Sequence, residues 1–142
     1  MMLMQEAYVG DIGDFGKYSL LNALMGSDLQ LAVVWYLSDE DGGNDGALTG
    51  YLGDEKRYRL YDPALFDKLR RMVLVDDDRR VASVRERGIL PARTLFFEKR
   101  LSFGNLAIDD RRVVRQKWLE GALHRARSAD VIFLDPDNGL AC

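Results

Sequence analysis

Leu31-Ala-Val-Val-Trp-Tyr-Leu37 is the stretch whose reading decides the fold class. It is an unbroken apolar run, rich in residues that favour strands. A strand with one wet face alternates apolar and polar side chains. A strand buried on both faces does not alternate, and such strands belong to parallel sheets covered by helices. Val131-Ile-Phe-Leu134 repeats the pattern near the other end of the chain. Between them, 72–75 and 92–98 are two further strand candidates.

The intervening segments read as helices. Asp14 is expected to cap a helix over 15–25 that Gly26 stops. Asp62-Pro63 opens a second helix, with Leu65, Phe66 and Leu69 on its apolar side. A third is expected over 79–87, stopped by Gly88. The longest spans 109–127, where Val114, Trp118 and Ala122 recur every four residues and Leu119, Leu123 and Ala126 widen the stripe. Asp109 and Asp110 at its start and Arg125 and Arg127 at its end suit the helix dipole. After the first helix, strands and helices alternate. That order predicts one α/β domain over 1–142, with a three-layer, Rossmann-like, mostly parallel sheet joined by right-handed crossovers. Ligands in such sheets bind beyond the carboxyl ends of the strands. The segments that follow Leu37 and Leu134 therefore carry the functional expectation.

Composition narrows the classes. Of 142 residues, 47% are hydrophobic and 30% charged, an ordinary globular mix that excludes a disordered, collagen-like or coiled-coil chain. No apolar run approaches the roughly 20 residues of a membrane span, and Met1-Met-Leu-Met-Gln-Glu6 lacks the pattern of a secretory leader. A single cysteine, Cys142, and a single histidine, His124, exclude a disulfide framework and a thiol or histidine metal centre. A cytoplasmic location is the expectation. Charge is segregated: residues 1–55 sum to −9, with Lys17 their only base, 56–127 to +9 and 128–142 to −3. Fifteen of the twenty bases are arginine, whose planar fork suits phosphate. Solvated surface ion pairs are the bland explanation of the same charges.

Three segments carry residues that do chemistry. In Asp135-Pro-Asp-Asn-Gly-Leu140, a carboxylate ends an apolar strand, proline stiffens the turn and Asn-Gly tolerates unusual backbone angles. Asp135, Asp137 and Asn138 are the candidate catalytic residues: together they can receive protons, hold a metal or accept from an amino group. An ordinary strand-to-helix turn is the alternative. The four apolar residues before Asp135-Pro-Asp137 also match the start of the haloacid-dehalogenase phosphatase signature, but Gly139 stands where Thr or Val is required. In Trp35-Tyr-Leu-Ser-Asp-Glu-Asp-Gly-Gly-Asn-Asp-Gly46, glycines let backbone approach a ligand. The acids there favour a cationic or hydroxyl-bearing ligand over phosphate; a mobile acidic loop is the alternative. In Asp11-Ile-Gly-Asp-Phe-Gly-Lys17-Tyr18, the lone lysine can meet the carboxylate of a small molecule, or can make a surface salt bridge beside a helix cap.

Taken together, these segments give a resemblance. The chain resembles small uncharacterised bacterial proteins with Gly-Asp-x-Gly-Asp-Phe-Gly-Lys-Tyr near the start (Gly10 to Tyr18 here) and Phe-Leu-Asp-Pro-Asp-Asn-Gly later (Phe133 to Gly139). More distantly it resembles the Rossmann-like ribosomal-RNA adenine-N6 methyltransferases. Lys17-Tyr18 matches their Lys-His, Tyr36-Leu37 their Tyr-Leu, and Asp135-Pro136 the start of their Asp-Pro-Pro-Tyr. Ser38 stands where those proteins have Asp, and Asp137-Asn138 where they have Pro-Tyr. The resemblance implies S-adenosylmethionine as cofactor, contacted by Lys17, Tyr18, Ser38, Asp39, Gly42, Gly43 and Asn44. Asp76 or Asp77 would then accept from its ribose hydroxyls, and Asp135 would orient a target nitrogen. It also implies a methyltransferase-type sheet apparently truncated after the fourth strand. In the order 3-2-1-4 that leaves 131–134 at an edge, where it invites a homodimer.

The expected function is that of an S-adenosylmethionine-dependent methyltransferase-like protein, a truncated or inactive relative included, with a nucleic-acid amino group as substrate. Arg111, Arg112, Arg115 and Lys117 would meet the nucleic acid. Two readings compete: a Mg²⁺-dependent phosphohydrolase or nuclease built on Asp135, Asp137 and the acids of 39–45, and a non-enzymatic α/β association module.

Overall fold

The structure, a computed structural model, describes residues 9–26, 28–37 and 48–136. They fall into two compact units, one of 29–37 and 93–136, the other of 9–26, 28 and 48–92.

The first unit holds the sheet. Strand β1 (Leu31–Trp35) lies in the middle, with β2 (Leu95–Phe97) on one side and β3 (Val131–Asp135) on the other. Both pairings are parallel, Ala32 facing Leu95 and Leu31 facing Val131. All five residues of β1 are buried, as an apolar run without alternation requires. Helix α5 (Ile108–Ala126) crosses between β2 and β3 and packs on β1 and β2. Its stripe puts Trp118 and Ala122 against Val34, Tyr36 and Leu101, with Phe97, Phe103 and Val114 around them. Gly121 permits the close approach: a Cβ there would stand 3.3 Å from the Phe97 ring. On the opposite face Trp35 stacks on Phe96, centroids 5.4 Å apart.

The second unit is helical. Helix α1 (Ile12–Leu24) packs on α3 (Pro63–Arg70), and the short α2 (Glu55–Tyr58) and α4 (Val81–Glu86) complete it. Phe15 stacks on Tyr51 at 5.4 Å and meets the edge of Phe66 at 6.1 Å. Gly10, at φ +80°, makes the turn into α1, and a Cβ there would fall 2.6 Å from Val73 Cγ2. Glycine is required at this position on both counts.

The expected α/β class is found, with corrections. The sheet has three strands among the described residues, not four. The segment 72–75 is not a strand: Arg71–Val75 continues α3 as a wide helical turn, in which Asp76 N–H donates back to Arg71 O at 3.0 Å. Met72 and Val73 are buried while Leu74 and Val75 are exposed, an adjacent pairing that a strand's alternation forbids. With that candidate removed, 92–98 moves next to the central strand, and 131–135 keeps the edge it was assigned. The cap of α1 is Asp11, one turn before the residue expected: its Oδ1 accepts from Asp14 N–H at 2.8 Å. Strand β3 is not buried on both faces, since Val131, Ile132 and Leu134 are all exposed. Among the described elements, α5 packs chiefly on β2 and β1 rather than on β3.

Candidate functional site at the carboxyl end of the sheet

From β1 the chain goes to β2 on one side, and from β2 through α5 to β3 on the other. The connections therefore diverge between the carboxyl ends of β1 and β3. That is the switch point at which parallel sheets take ligands. The register sets Trp35 beside Asp135 there, so by strand alternation their side chains share one face. Tyr36 N–H reaches Asp135 O at 3.5 Å, and Leu101 N–H donates to Leu37 O at 2.8 Å, tying the segment after β2 to the one leaving β1.

Asp135 ends its strand as expected, yet it is buried, 2% exposed, rather than standing on an open rim. Trp35 is wholly buried, and its indole N–H meets no acceptor among the described residues. Sequence reasoning took Trp35 as core alone; its place at the end of the central strand was the missed signal. Ser38, Asp39, Gly42, Gly43, Asn44, Asp137 and Asn138 lie outside the described residues. So do the remaining acids of the 39–45 cluster. Among the described residues, no three His, Cys, Asp or Glu side chains gather closely enough to hold a metal.

Lys17, Tyr18 and Asp76 belong to the other unit. There the motif around α1 makes a buried polar hub. Asp14, 1% exposed, accepts at Oδ2 from Gly10 N–H at 3.0 Å and from the Tyr18 hydroxyl at 3.1 Å. The Lys17 ammonium stands 3.6 Å from Oδ1. Tyr18 is wholly buried. The Tyr51 hydroxyl donates to Gly10 O at 3.0 Å. Burial first, then the Asp14 and Asp11 charges, hold that phenol well above its usual range.

Asp76 stands at the end of the wide helical turn and accepts from Arg87, which also donates to Asp78 at 3.1 Å. Asp78 accepts further from Arg80 at 3.0 Å and Ser83 at 2.7 Å. The Arg80 guanidinium first, then the Ser83 hydroxyl, hold the Asp78 carboxyl far below the ordinary range. A carboxyl lowered in the fold stabilises fully above its unfolded value, near 4, and that stability fades as pH falls below it. Asp78→Asn is therefore expected to cost roughly 1.5–3 kcal/mol at neutral pH and much less near pH 2. Urea unfolding at both pH values measures the difference; an equal loss at both would remove the charge from the explanation.

The four bases expected to meet nucleic acid divide. Arg111 and Arg115, one turn apart on α5, lie over the Phe103 ring. Arg112 and Lys117 line a shallow groove with Val113, Gln116 and Glu120 instead. At about 100° per residue, that groove lies on another side of the helix. No described helix is long and apolar enough to cross a membrane. Comparison with known protein families, curated proteins and solved structures finds no match for the chain.

Proposed function

We propose that the chain is a methyltransferase-like α/β protein that takes S-adenosylmethionine at the carboxyl end of its sheet and presents an amino group, on a nucleic acid, to Asp135. The parallel β1–β3 pair, which sets Trp35 beside Asp135 at the switch point, carries this reading. The donor set fits. A buried carboxylate accepts the N–H of an amino group and orients its lone pair, and a buried indole N–H offers a donor on the same face. The cofactor, when bound, supplies an electrophilic methyl group. Asp135 would hold the attacking nitrogen, and the burial of Asp135 and Trp35 keeps water from it. The cofactor contacts proposed for Ser38 to Asn44 follow directly from the end of β1.

Calorimetry on the full chain tests the reading. Heat from S-adenosylmethionine is expected, and Asp135→Asn is expected to retain it while lowering methyl transfer to RNA by at least about 100-fold. Heat from Mg²⁺ alone would favour the phosphohydrolase reading, and heat from neither would leave the association module.

The place of β3 at the edge of the described sheet supports the expected twofold homodimer in a reducing cytoplasm, its backbone edge and exposed Ile132 and Leu134 pairing with a second copy. Sedimentation at micromolar concentration is expected to show twice the 16.1 kDa chain mass. A species of single-chain mass sinks the pairing.

A further inference from the structure

We propose that Phe103, Arg111 and Arg115 form an anion site that takes the phosphate group of a phosphate-bearing ligand. This inference rests on the two arginines and the ring alone and stands apart from the methyl-transfer reading. The Arg111 and Arg115 guanidinium carbons lie 5.8 and 5.0 Å from the centre of the same Phe103 ring. An aromatic face attracts one cation through its quadrupole. Two cations gathered on one ring also repel each other, and a bound anion relieves that repulsion.

No such anion comes from the described residues. Arg111 Nε donates to Leu106 O at 3.0 Å, a neutral carbonyl. Asp109 and Asp110, in the first turn of α5, are the acids nearest in sequence, and neither pairs with these arginines among the described residues. Among the described residues Arg59 meets Asp67 at 2.8 Å, and Arg80 and Arg87 meet Asp78, whereas Arg125 Nε, like Arg111 Nε, donates to a carbonyl. What sets Arg111 and Arg115 apart is that they share one aromatic ring, with the Leu106 carbonyl holding one of the two guanidinium groups.

Charge favours phosphate over a carboxylate. A phosphate group can bring up to two negative charges and three acceptor oxygens to the two cations, where a carboxylate brings one charge. The site also has a place in the fold. Phe103 lies two residues after Leu101, whose N–H binds Leu37 O beyond the end of β1. The segment joining β2 to α5 thus carries the ring at the carboxyl end of the sheet. A small phosphate ester and a nucleic-acid backbone share this chemistry.

The test uses the full chain and three probes at matched ionic strength: inorganic phosphate, a nucleoside monophosphate and a short single-stranded RNA, each against chloride. Binding is read from amide chemical shifts of the segment around Phe103. Arg115 makes no hydrogen bond among the described residues, so Arg115→Gln removes the fork with least disturbance to the fold. It is expected to weaken binding at least about tenfold, with Arg127→Gln, exposed at the far end of α5, near wild type. Arg115→Lys, which keeps the charge and loses the planar fork, is expected to weaken binding as well, and it serves should the glutamine variant fail to fold. The RNA binding much more tightly than the monophosphate identifies the backbone as the source; equal affinities identify a small ester. Absence of phosphate-dependent shifts in the wild type overturns the site, as does an equal loss from Arg127→Gln.

Discussion

Asp14→Ala is expected to destabilise the helical unit by at least about 3 kcal/mol, since it removes two hydrogen bonds made to a buried ionised acceptor. The carboxylate is 1% exposed, and its Oδ2 serves both the Gly10 N–H and the Tyr18 hydroxyl. Alanine strips this acceptor from two donors that water does not reach. It also opens space beneath the first turn of α1. Gly10 is itself pinned, since Tyr51 donates to its carbonyl and Val73 crowds its α-carbon. The turn into α1 therefore cannot easily rotate its N–H toward another partner. Lys17→Ala, by contrast, is expected to cost less than about 1 kcal/mol, because the ammonium is 41% exposed and its pairing is screened. Tyr18→Phe should fall between the two. Urea unfolding of the three variants sets the order; Asp14→Ala costing no more than Lys17→Ala would show that the hub contributes little.

That ordering bears on the motif from Gly10 to Tyr18, which was the least legible of the three segments. From the residues alone, Lys17 drew attention as the single base in an acidic stretch. The structure gives the central place to Asp14, and nothing local marks it. Its burial depends on Tyr51, brought against Phe15 from far along the chain, and on the turn that aims Gly10 N–H inward. The sequence shows which groups can hydrogen-bond but not which of them water is kept from.

The strands show where pattern suffices and where it fails. Leu31–Trp35 and Val131–Asp135 are strands in parallel pairing, because each is an apolar run too short to be a helix and bounded by polar residues. Met72-Val-Leu-Val75 has the same composition and is helical. It is joined without a break to α3, and continuing a helix needs no new nucleus. An apolar run read in isolation hides that continuity. Strand β3 errs in the other direction: its apolar side chains predicted cover on both faces, but cover depends on where α5 crosses. Asp135 ends its strand where the sequence puts it. Nothing in the sequence singles out Phe103, because the two arginines reach it from the next helix.

Trp118→Ala should be a severe change in the sheet-bearing unit, at about 3–5 kcal/mol. The indole is 4% exposed and lies between two rings, 4.8 Å from Tyr36 and 5.3 Å from Phe97. Its Nε1–H donates to Lys99 O at 2.6 Å. Alanine leaves a cavity between α5 and the sheet and strips a donor from the segment that joins β2 to α5. The loss should reach the candidate site, because Tyr36 follows β1 directly and its N–H meets Asp135 O. Trp118→Phe keeps most of the ring volume but not the hydrogen bond. It should cost roughly 1–2 kcal/mol for that bond and a small void. Two readouts separate packing from site geometry. Denaturant unfolding gives the stability, and amide chemical shifts from 95–103 report the segment that carries Phe103. If alanine and phenylalanine cost the same, the hydrogen bond to Lys99 dominates and the indole is no keystone of the packing. If alanine is much worse and the shifts move only in that variant, the ring itself holds the carboxyl end of β1 against α5.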